Sequence, residues 1–352
     1  MDLPAPVLEV ARAQRGLVIR RQLIGAGVSA SELRWRLGRS WRLVLPGVVL
    51  LDWAPPDDEQ RCIAGLLYAG ERSWLAGPTA LSMHRVGPAM SRSRVHVLVP
   101  APARPRDVGW LSIRRTHVWD ERILIRGAVR YSCLPRAVVD AAALLPTDEA
   151  RALLIDVVHR RVFRLDDVHH WIEARRPNGR LRLRQALLEA AAGAWSVPEA
   201  DLARLVATSA VLSQAWLNPE LRDAQGRRLT TPDLWFDDVA MAVMVHSREF
   251  HAGVLDWEAT VDRDSDLAAC RVVVMGVSPG AITRDPARVL RRVEDAYATA
   301  LRSGQRAPVV ATPRIAPISH VISDVDRSLS PAPQFSSRPT TVMSRVMSRE
   351  VS

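Results

Sequence analysis

The stretch that most constrains this chain runs from Leu229 to Glu258. Pro232-Asp233 opens a short apolar run, Thr231 to Phe236, and an Asp237-Asp238 pair then reverses the chain. A second apolar run, Val239 to Val245, delivers His246 into a polar segment, Ser247-Arg-Glu-Phe-His251. Two short apolar runs joined by a turn read as neighbouring strands buried on both faces, so helices must cover them. The flanking sequence supplies such helices. Ser196-Val-Pro-Glu199 caps a helix through Leu202, Leu205 and Val206, another is expected from Trp257 to Cys270, and a last one from Asp285 or Pro286 to Ala300. With a strand over Val272–Val277, residues 196–303 read as an α/β domain built on a small mixed sheet.

Size and charge bound the rest. At 352 residues the chain has room for two or three cores. It is 48% apolar and 24% charged, ordinary values for a globular protein, and no apolar run approaches the ~20 residues that span a bilayer. The start, Met-Asp-Leu-Pro-Ala-Pro, lacks a charged and then apolar leader, so a cytoplasmic protein with no membrane partner is expected. Cys62, Cys133 and Cys270 are too widely spaced for a metal knuckle and read as thiols packed inside. Every one of the 48 basic residues is arginine, which leaves no lysine for catalysis. Residues 196–300 carry 16 acids against 11 arginines, whereas the net charge of the whole chain is +10, so the excess of arginine lies outside that segment. A basic amino-terminal half suits a polyanionic partner; an arginine-rich proteome would produce the same excess.

Residues 1–54 give a more specific pattern. Apolar positions Val7, Leu8, Val10 and Ala11 make a first helix that stops at Gly16, Ile19 to Ile24 a second, and Glu32 to Leu37 a third, capped by Ser29 or Ser31. Trp41 to Leu45 and Val48 to Leu51 then read as strands joined at Pro46-Gly47. Three short helices and a small hairpin make the winged helix-turn-helix plan. On it Arg34, Arg36 and Arg39 lie near a DNA groove, with Arg42 on the wing. The same arginines would also suit a merely solvated helix face.

In residues 55–195, Glu59 to Ala69 and Gly77 to Met83 carry helical periods, and Val95–Val99 and Leu111–His117 alternate as strands. Further helices follow from Leu134 to the end of the segment. Arg136 and Asp140, four apart, read as a helix ion pair. His84 reads as a packing residue, and His159, His169 and His170 have no matching acids at ligand spacing. From 304 onward, prolines and serines replace any amphipathic period, and residues 304–352 are expected to be a disordered tail.

Two resemblances sharpen this outline. Gly16 to Leu37, followed by Trp41-Arg-Leu-Val-Leu-Pro-Gly-Val48, resembles the winged-helix domain of AbiEi-type antitoxins and related actinobacterial regulators. That resemblance implies double-stranded DNA as partner, transcriptional autoregulation and, in some members, a cognate nucleotidyltransferase toxin neutralised by contact. Residues 55–195 resemble the α/β and helical linker that follows in those proteins.

Residues 196–303 resemble the Vsr-like branch of the PD-(D/E)XK nucleases, the restriction-endonuclease-like fold. There a helix glutamate, a strand aspartate and an acidic triplet hold Mg²⁺, because a divalent cation needs several carboxylate oxygens to polarise phosphate and activate water. Carried over by position, the glutamate is Glu199, the aspartate and metal ligand Asp233, and the triplet Met244-Val245-His246. Met244 puts a thioether, which a hard cation does not choose, where the family has a carboxylate. The expectation is therefore an α+β protein of several domains that binds DNA and retains the nuclease fold as a scaffold, with no cofactor. The alternative is a Mg²⁺-dependent endonuclease of the very-short-patch-repair type, using Asp233, His246, Glu249 and His251.

Overall fold

The chain folds as a mixed α and β protein. The computed structural model describes residues 3–86, 94–103, 106–161, 163–175, 179–246, 262, 264–304 and 307–314. Glu249, His251, Asp256 and Glu258 lie outside these residues, as does the tail from 315 onward.

The first unit contains α1 (Ala5–Ala13), β1 (Leu17–Ile19), α2 (Arg20–Gly25), α3 (Ala30–Arg36), β2 (Arg42–Leu45) and β3 (Val48–Leu50). The three strands form an antiparallel sheet in the order β1-β3-β2. Ile19, expected in a helix, ends β1 instead, because Val18 and Ile19 are β-branched and pair with Val49 and Val48. The Gln22 side chain then accepts from the Ile19 N–H at 2.8 Å and starts α2. Ser29 rather than Ser31 caps α3, its Oγ accepting from the Glu32 N–H at 3.1 Å. Gly47 turns the β2–β3 hairpin at φ +79°, a conformation that suits glycine. Val7, Val18, Leu23, Leu33, Trp41 and Val49 close the core.

The second unit starts with α4 (Asp58–Ala69), fixed by reciprocal bonds between Asp57 and Gln60. It continues with β4 (Trp74–Leu75), α5 (Gly77–Met83), β5 (Val95–Pro100), β6 (Leu111–Thr116), β7 (Leu124–Arg126) and β8 (Val129–Tyr131). The strands make one mixed sheet in the order β6-β5-β4-β8-β7, with β5 and β6 parallel. A Cβ on Gly65 would come within 2.9 Å of Leu111 Cδ1, so glycine is what lets α4 lie this close to β6. Four helices follow: α6 (Leu134–Ala142), α7 (Thr147–His159), α8 (Leu165–Glu173) and α9 (Arg180–Ala191). They share a core of Val138, Leu154, Val168, Ile172 and Leu183.

The third unit holds α10 (Val197–Val206), β9 (Trp216–Leu217), β10 (Glu220–Asp223), β11 (Leu234–Phe236), β12 (Met241–Val245) and β13 (Val273–Val277). After these come α11 (Pro279–Arg284), α12 (Pro286–Ser303) and β14 (Val309–Thr312). The central sheet runs β13-β12-β11-β9, with β12 and β13 parallel and the other pairs antiparallel. Side chains alternate across it. Leu234, Phe236, Met241 and Val243 face a cluster containing Leu202 and Val293, whereas Trp235, Ala242 and Met244 join Leu221 and Leu267 on the opposite face. The stretch expected to lack regular structure supplies β14, which pairs with β10. Its alternating Val309, Val310, Ala311 and Thr312 had been outweighed by the surrounding prolines. No helix among the described residues is long and apolar enough to cross a membrane.

Candidate functional site

The third unit brings Glu199, Asp233 and His246 to one end of its sheet, and adds Asp264, which the sequence reading had not singled out. Asp233 sits just before β11, and its Oδ2 accepts from the Val245 N–H on the neighbouring strand at 2.5 Å. Burial, then the charge of Glu199 and that of Asp264, push the Asp233 carboxyl up to about 7 against the pull of the Val245 N–H. Carboxylates brought together out of water do not all ionise readily, so Asp233 gives up its proton only around neutrality.

Glu199 is buried in the first turn of α10. Ser196 Oγ donates to its Oε1 at 2.8 Å; the Trp195 N–H and Asn218 Nδ2 donate to its Oε2, each at 2.9 Å. Both oxygens are therefore committed to holding α10 against the loop before β10. His246 follows β12, and its N–H donates to the Val277 carbonyl at 2.8 Å. Its Nε2 lies 3.1 Å from Asp264 Oδ2. The imidazole fits because residue 276 is glycine: a Cβ there would stand 2.8 Å from His246 Cδ2. Asp264 belongs to helical residues 264–269 and was hidden in the sequence among Asp262 and Asp266.

A hard divalent cation needs free carboxylate oxygens, and these residues do not offer the set. Both Glu199 oxygens accept from protein donors, burial and neighbouring carboxylates raise the Asp233 carboxyl, and Met244 packs in the apolar cluster with Leu267 and Trp235. Among the described residues, no three His, Cys, Asp or Glu side chains form a group able to hold a metal ion. Cys62 and Cys133 are buried, and burial pushes their thiols up to about 12 and about 11, so neither is a ready nucleophile.

The first unit places its four arginines differently from one another. Arg34 and Arg39 are exposed on and just after α3, with Trp35, itself 61% exposed, between them. Arg39 lies over the Trp35 ring at 5.5 Å and donates to the Trp35 carbonyl at 2.9 Å. Arg42, on β2, lies over Trp53 at 4.7 Å and donates to the Trp53 carbonyl. Arg36 instead folds back: it pairs with Glu32 at 2.8 Å and stacks over the buried Trp41 at 4.7 Å. The exposed side chains of α3 thus form a strip of guanidinium on indole, and a second guanidinium–indole pair, Arg42 on Trp53, lies at the hairpin. Such a strip offers cationic donors to phosphate and flat apolar surface to bases or side chains. The exposed tryptophans were the signal that the reading from charge alone passed over.

No family model and no curated protein matches the chain. Among solved structures, the crystal structure of the RV2827C protein from Mycobacterium tuberculosis is similar at 17% identity, covering 54% of this chain and 77% of that chain, with a TM-score of 0.38. A likeness at that level carries no argument about function.

Proposed function

We propose that this protein binds double-stranded DNA through its first unit, used as a winged helix-turn-helix, and that its third unit is a PD-(D/E)XK-like scaffold that contributes binding surface without cutting. The observation that carries the reading is the Arg34–Trp35–Arg39 strip on the capped α3 beside Arg42 and Trp53 of the hairpin region. A helix offering cations and an aromatic face, next to a two-stranded hairpin, suits one element in the major groove and another along the backbone. On this reading Arg34, Arg39 and Arg42 reach phosphate or base edges, while Arg36 holds α3 in shape through Glu32 and Trp41. A regulator of transcription, with or without a toxin partner, is the role such binding serves.

Anisotropy of a fluorescent duplex tests the binding. Affinity is expected to fall steeply between 50 mM and 200 mM salt, as phosphate contacts release counterions, and to fall at least tenfold when Arg34, Arg39 and Arg42 all become alanine (on the order of 10-fold for loss of a few contacts). Unchanged binding in that triple variant overturns the proposal.

The endonuclease reading has one observation in its favour, the approach of Asp233, Glu199, Asp264 and His246 to one another. Incubating the same duplex and a plasmid with Mg²⁺ or Mn²⁺ separates the two. Intact DNA is expected; cleavage that disappears in Asp233→Ala would replace the scaffold reading with the enzyme.

A further inference from the structure

A cleft in the second unit remains outside the DNA-binding reading. It opens between β5–β6 of the sheet and α6 and α8, with a volume of about 260 Å³. Arg114, Arg136 and Arg175 line it, and Asp140 is its one carboxylate. That carboxylate is already answered from both sides, by Arg175 at 2.7 Å and Arg136 at 3.5 Å. Arg136 is buried at the base, its guanidinium 4.5 Å from the Trp171 ring and 5.3 Å from the Trp74 ring, with its Nη atoms donating to the Val118 carbonyl and Thr116 Oγ1. Arg114 and Arg115, on edge strand β6, are exposed, and neither has an ion-pair or hydrogen-bond partner among the described residues. Arg114, level with Leu98, lies on the cleft face of the sheet and Arg115 on the face toward α4, so the cleft has a fixed cationic floor, one free guanidinium at its mouth, and three guanidiniums against one carboxylate.

The neighbourhood bears this excess of charge. Burial, Arg114 and Arg94 together hold the His96 imidazole below its ordinary value, so it stays neutral beside the arginines. Leu98 and Trp171 give the cleft apolar wall. Its volume lies just under the roughly 300 Å³ at which pockets for drug-sized ligands begin. A guanidinium fork matches carboxylate and phosphate oxygens alike, but three guanidiniums against the one Asp140 carboxylate leave an excess of two positive charges, which a phosphate monoester dianion answers and a single carboxylate does not.

We propose that this cleft binds a phosphate monoester on a small organic body, of mononucleotide size, with Arg114 on the phosphate and the apolar wall against the body. The monoester belongs either to a free nucleotide or to the phosphorylated end of a DNA strand.

Calorimetry on the full chain, at constant ionic strength, tests this with inorganic phosphate, each nucleoside 5′-monophosphate, the matching nucleosides, and a short duplex with and without 5′-phosphate. The expected result is saturable binding of one phosphate monoester per chain, absent for nucleosides. It weakens at least tenfold in Arg114→Ala, an exposed position, and is kept in Arg115→Ala on the opposite face of the strand, with an unchanged circular dichroism spectrum as the folding check. It survives in Arg34→Ala/Arg39→Ala, so the cleft and the α3 strip fail or succeed independently. Tighter binding of the mononucleotides assigns a free ligand, and tighter binding of the 5′-phosphorylated duplex assigns a strand end. No saturable binding of any phosphate monoester, binding unchanged in Arg114→Ala, or equal binding of the nucleosides overturns the proposal.

Discussion

Asp233 is the residue whose surroundings depart furthest from what its type predicts. In the unfolded chain its carboxyl titrates near 3.8, whereas in the folded protein it holds its proton to about 7. Between those values the native state binds more protons at Asp233 than the unfolded state, so this group's contribution to stability is fully present below about pH 4 and is lost as pH rises through about 7. At ~1.4 kcal/mol for each unit of difference, that loss is on the order of 4 kcal/mol. Urea unfolding from pH 4 to pH 8 is expected to give this slope in the native chain and a flatter one in Asp233→Asn, whose amide oxygen can still accept from the Val245 N–H. Equal slopes would mean that the carboxyl is not buried against Glu199 and Asp264 as described. The residue's place ahead of β11 was legible in the sequence, as was Glu199 at the start of its helix. Its proton was not, because it depends on two acids 34 and 31 positions away that only packing brings near.

At the scale of elements, the joint between the second and third units is held by charge. Arg151 on α7 is buried and pairs with Glu189 of α9 at 2.7 Å and with Asp201 of α10 at 2.6 Å. Arg204 of α10 reaches the same two acids. The boundary drawn at residue 196 from sequence thus falls inside a network that ties three helices, one of them on its far side. Breaking a buried pair leaves an uncompensated charge, so Arg151→Met is expected to cost about 3–5 kcal/mol in thermal or urea unfolding. Arg151→Met combined with Glu189→Leu is expected to cost less than the sum of the two single changes, because the stranded charge is gone. Additive losses would show that the pair is not coupled. Helical period announced α7, α9 and α10 one by one; which acid Arg151 meets depends on how the helices cross, and local sequence does not encode that directly.

For the whole molecule, the chain returns on itself at the end of its described part. β14 pairs with β10 across 89 residues, Glu220 with Thr312 and Asp223 with Val309, and it covers buried Leu221 with Val309 and Ala311. Truncation after Ser303 is expected to lower stability by about 2–3 kcal/mol, the value of one valine, one alanine and part of the leucine returned to water. Truncation after Arg314 keeps the strand and is the control; equal melting temperatures for the two shortened chains would refute the account.

Local chemistry was enough to determine much of this protein. Ser29 and Ser196 cap their helices, Pro46-Gly47 turns its hairpin, and the apolar runs of 231–245 form β11 and β12, because caps, turns and strand alternation act over a few neighbouring residues. Only the tertiary structure decided that Asp264 meets His246, that Asp233 lies near Glu199, and that Arg114, Arg136 and Arg175 share one cleft. Those outcomes are set by which faces meet across large sequence separations, where burial and the loss of water decide the charge and direction of each side chain.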